Sequence, residues 1–140
     1  MQAVVDALWA ASGDRGVSWI GFYVKSRGQD EMILGPRRDK PACSPIGLGG
    51  VCGRCWREQR PVIVADVATL GDNYIACDPR DKSEAVVPLF EQSGECWGVL
   101  DADSYDVGCF ATADITGLTT LVEHVGLSAR QPSPIEILRL

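Results

Sequence analysis

The sequence predicts an α+β domain in which helices flank an antiparallel sheet, and three observations carry that expectation. Five short segments are β-branched, aromatic or apolar runs bounded by turn residues. Two of them flank the turn EQSGE, as the strands of a hairpin would. Apolar residues recur at helical spacing in three further places. The 140 residues allow one domain, read as 1–130, with 131–140 as a loose tail.

Taken in order, Val4, Val5, Leu8 and Trp9 fit an opening helix over 3–11, and SGDRG stops it. VSWIGFYVK (17–25) reads as a central strand, with Trp19, Gly21 and Tyr23 on one face and Ile20, Phe22 and Val24 on the other. MILG (32–35) reads as a second strand ended by Gly35-Pro36, before a loop that carries Cys43 and runs to Gly50. VCGRCWREQ (51–59) puts Cys52, Cys55 and Trp56 on one face of a short amphipathic helix. PVIVADV (61–67) reads as a strand, and the long polar loop after it suggests a site. EAVVPLF (84–90) and CWGVLDAD (96–103) form the hairpin. Thr112 is placed to N-cap a last helix whose Ile115, Leu118, Val122 and Val125 make one apolar stripe.

Composition narrows the function. Hydrophobic residues at 46% and charged residues at 23% argue against disorder and low complexity. A net charge of −6 disfavours binding along a phosphate backbone, so nucleic acid is not expected as a partner. No apolar run is long enough to span a membrane and no basic-then-apolar leader is evident, which reads as a cytoplasmic protein. Six cysteines in a chain able to bury its own core then stand as packing residues, metal ligands or redox groups. Cys43, Cys52, Cys55 and Cys77 do not supply the two close pairs of a zinc ribbon, so no metal is expected. His124, in the last helix, is the sole histidine and reads as a partly exposed helix residue. Asp101 and Asp103 alternate onto one strand face and Glu84 opens the neighbouring strand, so three carboxyls can converge. Like charges held close keep one acid protonated near neutrality, which offers a proton donor together with an ammonium anchor.

SWIGFY, LGP, KPAC, GVCG, IACD, SEAVVPL and GVLDADS occur in an order and spacing that resembles the free methionine-(R)-sulfoxide reductases, small GAF-domain enzymes. The resemblance implies a GAF fold, a homodimer without cofactor, and thiol-based reduction of free methionine (R)-sulfoxide with recycling by thioredoxin. On it, Cys77 matches the nucleophile, whose attack on the sulfoxide leaves a sulfenic acid that a second thiol condenses to a disulfide. Cys43 matches the resolving thiol. Cys52 matches the family's remaining cysteine, an alternative resolver or relay at a helix start whose dipole is expected to lower its pKa. Glu84, seven residues beyond Cys77 across a loop that can bring both to one sulfoxide, takes the proton-donor role, while the resemblance matches Trp19, Tyr23, Asp101 and Asp103 to the substrate pocket. Cys55 stands outside the pattern, while Cys96 and Cys109 read as structural. Tyr74 stands where the family usually has histidine. A GAF module that binds a ligand or senses redox state without turnover is the alternative, against which the lack of an attached output domain counts.

Overall fold

In the computed structural model, all residues are described except 39, 41, 75, 76, 132 and 133, and residues 72 and 73 are described by backbone alone. Two residues of the IACD segment and two of the C-terminal tail therefore lie outside the described residues. Helix α1 (Gln2–Ser12) leads into β1 (Val17–Lys25) and β2 (Glu31–Arg38). The two-residue β3 (Ile46–Gly47), α2 (Val51–Glu58) and β4 (Val62–Val64) follow, then a kinked 3-10 segment over Val67–Asn73. The hairpin of β5 (Ser83–Phe90) and β6 (Cys96–Ser104), α3 (Thr112–His124) and β7 (Leu138–Arg139) complete the chain.

One seven-stranded sheet runs in the order β3-β2-β1-β6-β5-β4-β7. Side-chain alternation sorts its two faces. Ile20, Phe22, Ala85, Val87, Leu89, Leu100 and Ala102 join Val5 of α1 and Ile115 and Val122 of α3 in one buried core. Trp19, Tyr23, Val86 and Val99 join Val51, Cys52 and Cys55 of α2 in the other. Glu84, Asp101 and Asp103 share the parity of this second face, so the strand pattern aims three carboxyls under α2. The α2 end of the sheet is pinned by the Trp56 indole, whose Nε1 donates to the Cys96 carbonyl at 2.8 Å.

Four expectations need correction. Gly35-Pro36 does not end β2, because Pro36 falls where the β1–β2 register shifts between Gly21 and Tyr23, an irregularity that tolerates a residue without an N–H. The tail is not loose over its whole length: Leu138 and Leu140 donate to the carbonyls of Pro61 and Ile63, adding a parallel edge strand to a sheet otherwise antiparallel. The N-cap of α3 is Ala111, with the Asp114 carboxylate accepting its N–H at 2.8 Å, and Thr112 is the first helical residue. Val125 lies past the last turn of α3 and is 44% exposed, outside the apolar stripe.

Candidate active site

Register decides which side chains meet. Across β1, β6 and β5, one row holds Trp19, Asp103 and Glu84, and the next holds Gly21, Asp101 and Val86. Gly21 is required here: a Cβ on it would stand 2.3 Å from the Trp19 ring, so the indole lies across β1 only because that position is bare. Gly53 in α2 is required for the same reason, since a Cβ there would meet the Leu48 carbonyl oxygen at 2.2 Å. That close approach seats α2 and brings Cys52 over the sheet.

The result is an open pocket between the sheet, α2 and two loops. Trp19, Tyr23, Cys52, Cys77, Glu84, Asp101 and Asp103 all line it. Trp19 and Tyr23 stand with ring centroids 5.9 Å apart, as the strand alternation predicts. They also brace the loop before α2, where Trp19 Nε1 donates to the Lys40 carbonyl at 3.2 Å and Tyr23 Oη to the Cys43 carbonyl at 3.0 Å.

Cys43 and Cys77 are joined in a disulfide, with Cα atoms 5.5 Å apart and both residues exposed at the pocket mouth. This pairing removes two members from the four-cysteine grouping considered for zinc. Cys55 is fully buried on α2, Cys96 is buried in β6, and the Cys109 thiol donates to the Arg15 carbonyl at 3.1 Å. His124 is exposed at the end of α3 and is not among the pocket residues.

Cys52 departs from the helix-dipole expectation. It is buried, its Sγ lies 3.3 Å from Asp101 Oδ2, and burial followed by the charges of Asp101 and Glu84 pushes its thiol well above the ordinary range. Desolvation by the sheet outweighs a helix dipole that is stabilising only at the first turn. The same burial raises the carboxyls. Glu84 is held well up by desolvation and then by Asp101, and Asp103, partly open to the pocket, by desolvation and then by Asp101 and Glu84. Burial lifts Asp101 to about 7 against the hydrogen bond from Cys52. One polar atom here lacks a partner among the described residues: Asp101 Oδ1 is buried and accepts no hydrogen bond from them.

A second charged group at the mouth had no counterpart in the reading of the sequence. Lys40 Nζ bonds Asp78, donates to Tyr105 Oη at 2.6 Å and lies 3.6 Å from Asp81, while Arg80 grips Asp78 at 2.8 Å. Ser18 Oγ donates to Asp81 at 2.6 Å. Lys40 is three residues before Cys43 and Asp78 directly follows Cys77, so this network ties the two cysteine loops together independently of the disulfide. Its signal in the sequence was adjacency to both cysteines.

These groups give folding a pH dependence of definite sign. Because the folded carboxyl pKa of Asp101 is raised, the unfolded chain releases its proton first, and stability falls as pH rises through the ordinary carboxylate range to about 7. Glu84 and Asp103 add to the same fall. Asp78 acts oppositely: Arg80 and then Lys40 hold its carboxyl below the ordinary range, so its contribution is present above that range and lost on acidification. The melting midpoint is therefore expected to drop between about pH 5 and pH 7.5. Asp101→Asn is expected to flatten that drop and raise the midpoint at the alkaline end by about 5 °C. Thermal melts followed by circular dichroism across this range test it; a parental midpoint that climbs with pH contradicts the assignment.

A family model described as GAF domain matches residues 1–128. The free methionine-R-sulfoxide reductase of Saccharomyces cerevisiae is 38% identical over 114 residues, 80% of this chain and 63% of that protein. GAF domain-containing protein A of Dictyostelium discoideum is 39% identical over 106 residues, 75% of this chain and 65% of that protein. The chain thus spans slightly less than two thirds of the length of both. A free methionine-R-sulfoxide reductase from Neisseria meningitidis, solved in complex with its substrate, superposes with a TM-score of 0.79 at 38% identity, covering 87% of this chain and 71% of that one.

Proposed function

The chain belongs to the GAF-domain family, and from its likeness there to free methionine-R-sulfoxide reductases we propose that it reduces free L-methionine (R)-S-oxide to L-methionine. The observation that carries the proposal is the cysteine pair at the mouth of a pocket floored by three carboxyls and walled by two aromatic rings.

In the proposed reaction the Cys77 thiolate attacks the sulfoxide sulfur, the S–O bond breaks, and oxygen ends on Cys77 as a sulfenic acid while methionine leaves. The Cys43 thiol displaces that oxygen as water and forms the Cys43–Cys77 disulfide. A dithiol reductant of the thioredoxin type then reduces the pair by exchange, for which both cysteines are exposed. Glu84, whose burial and neighbouring Asp101 favour its protonated form, donates to the departing oxygen. Asp101 and Asp103 take the ammonium group, and Trp19 with Tyr23 enclose the methylthio end. Cys52, buried and with a raised thiol, serves as reserve resolver or relay. Family likeness further supports a homodimer. Among the described residues no helix is long and apolar enough to cross a membrane, which fits the proposed cytoplasmic setting.

Steady-state reduction of the separated R and S epimers, and of a peptide containing methionine sulfoxide, tests the reading with dithiothreitol as reductant. We expect activity on the free R epimer and at least about tenfold less on the peptide, because carboxylates aimed at a free ammonium lose that partner in a peptide bond. Equal rates on peptide and free amino acid contradict the proposed specificity.

A further inference from the structure

We propose that Cys52, Glu84 and Asp101 form a binding site for a thiophilic divalent cation of the zinc class, at the pocket floor and distinct from the Cys43–Cys77 pair. The three residues come from three elements, α2, β5 and β6, and offer ligand atoms within 4.8 Å of one another. Their exposures are 6%, 5% and 5%, so they form a built interior site and not a cluster of surface acids.

Geometry selects the cation. Zinc binds thiolate sulfur at about 2.3 Å and carboxylate oxygen at about 2.0–2.2 Å, so sulfur and oxygen on one tetrahedral ion lie about 3.5 Å apart. Cys52 Sγ and Asp101 Oδ2 stand at 3.3 Å, already close to that edge. Glu84, with a carboxylate oxygen within 4.8 Å of both, supplies the third ligand and leaves a fourth position for the pocket side, the donor count of an open zinc site. A sulfur ligand disfavours magnesium and calcium, which take oxygen shells of six or more.

The independent observation is Asp101 Oδ1. It is buried, belongs to a residue that lines the pocket, and has no hydrogen-bond partner among the described residues. A buried carboxylate oxygen without a donor is costly, and a cation bound by the same carboxylate supplies the missing charge. Asp103, opposite Glu84 in the β5–β6 register, adds a further carboxyl beside the site. The pocket mouth gives the ion its route from solvent. If the floor also holds the ammonium of a free amino acid, which rests on the proposed function, cation and amino acid exclude one another.

The test uses the oxidised protein, in which the Cys43–Cys77 disulfide cannot ligate, and cobalt(II) as the probe. Titration is expected to produce a thiolate-to-cobalt charge-transfer absorption saturating at one ion per chain, discharged by zinc and not by magnesium. Cys52→Ser should abolish that absorption, Asp101→Asn and Glu84→Gln should weaken binding at least tenfold, and Cys55→Ser and Cys109→Ser should retain it. Absence of the absorption in the parent protein overturns the proposal, as does its persistence in Cys52→Ser. If Cys52→Ser does not fold by near-ultraviolet circular dichroism, unchanged cobalt affinity in both carboxyl variants overturns it. No arm measures turnover, so a failure here leaves the reductase reading standing, and loss of turnover leaves this site standing.

Discussion

Cys77→Ser is expected to release no methionine from the R sulfoxide in a single turnover, a loss of at least about 10⁴-fold of the kind that follows removal of a nucleophile. A serine hydroxyl lacks the thiolate's nucleophilicity at neutral pH, and Cys52, which lines the same pocket, is buried with its thiol pushed up. Cys43→Ser separates the steps. Its first turnover is expected at the parental rate, followed by an arrested enzyme whose Cys77 sulfenic acid reacts with dimedone. Quench-flow release of methionine and mass spectrometry of the Cys77 peptide check both variants. A Cys43→Ser protein that still forms an internal disulfide would transfer the resolving role to Cys52, and full first-turnover activity in Cys77→Ser contradicts the nucleophile assignment.

Glu84→Gln is expected to lower the single-turnover rate at saturating substrate by about 10²–10⁴-fold, the usual contribution of a positioned acid. The amide keeps nearly the same size and packing but has no carboxylic proton to give. Asp101→Asn and Asp103→Asn are expected instead to raise the substrate concentration needed for saturation, since an anchor contributes to binding in ground state and transition state alike. The parental rate should decline as rising pH removes the Glu84 proton, whose loss burial and Asp101 shift to higher pH, and that limb should vanish in Glu84→Gln. Rapid-mixing rates measured across pH decide between the roles. If Glu84→Gln keeps the parental rate while Asp103→Asn loses it, the donor is Asp103.

The parts of this site that depend on a local period were legible in the sequence. Alternation along residues 17–25 and 96–103 separates Trp19, Tyr23, Asp101 and Asp103 from the core residues between them, and the hairpin turn brings Glu84 opposite Asp103. Tertiary features were not. Lys40 and Asp78 lie 38 residues apart, and although each neighbours a cysteine, no local period pairs them along the chain. The Cys52 thiol was misread because a helix start is visible locally, whereas its burial against three carboxyls exists only after α2 docks on the sheet. Strand β7 carries two residues joined through backbone hydrogen bonds to β4, so its side chains do not announce it. At Pro36 a sound local rule met an existing register shift that accommodates proline within the strand.

In the proposed reaction, methionine release and closure of the Cys43–Cys77 disulfide are one process. It is tested most directly by mixing fully reduced protein, without external reductant, with methionine (R)-sulfoxide and counting both products in the same quenched samples. One methionine per chain is expected, formed together with one Cys43–Cys77 disulfide mapped by peptide mass spectrometry, and neither product with the S epimer. Methionine release with both thiols still free, or disulfide formation without methionine, contradicts it.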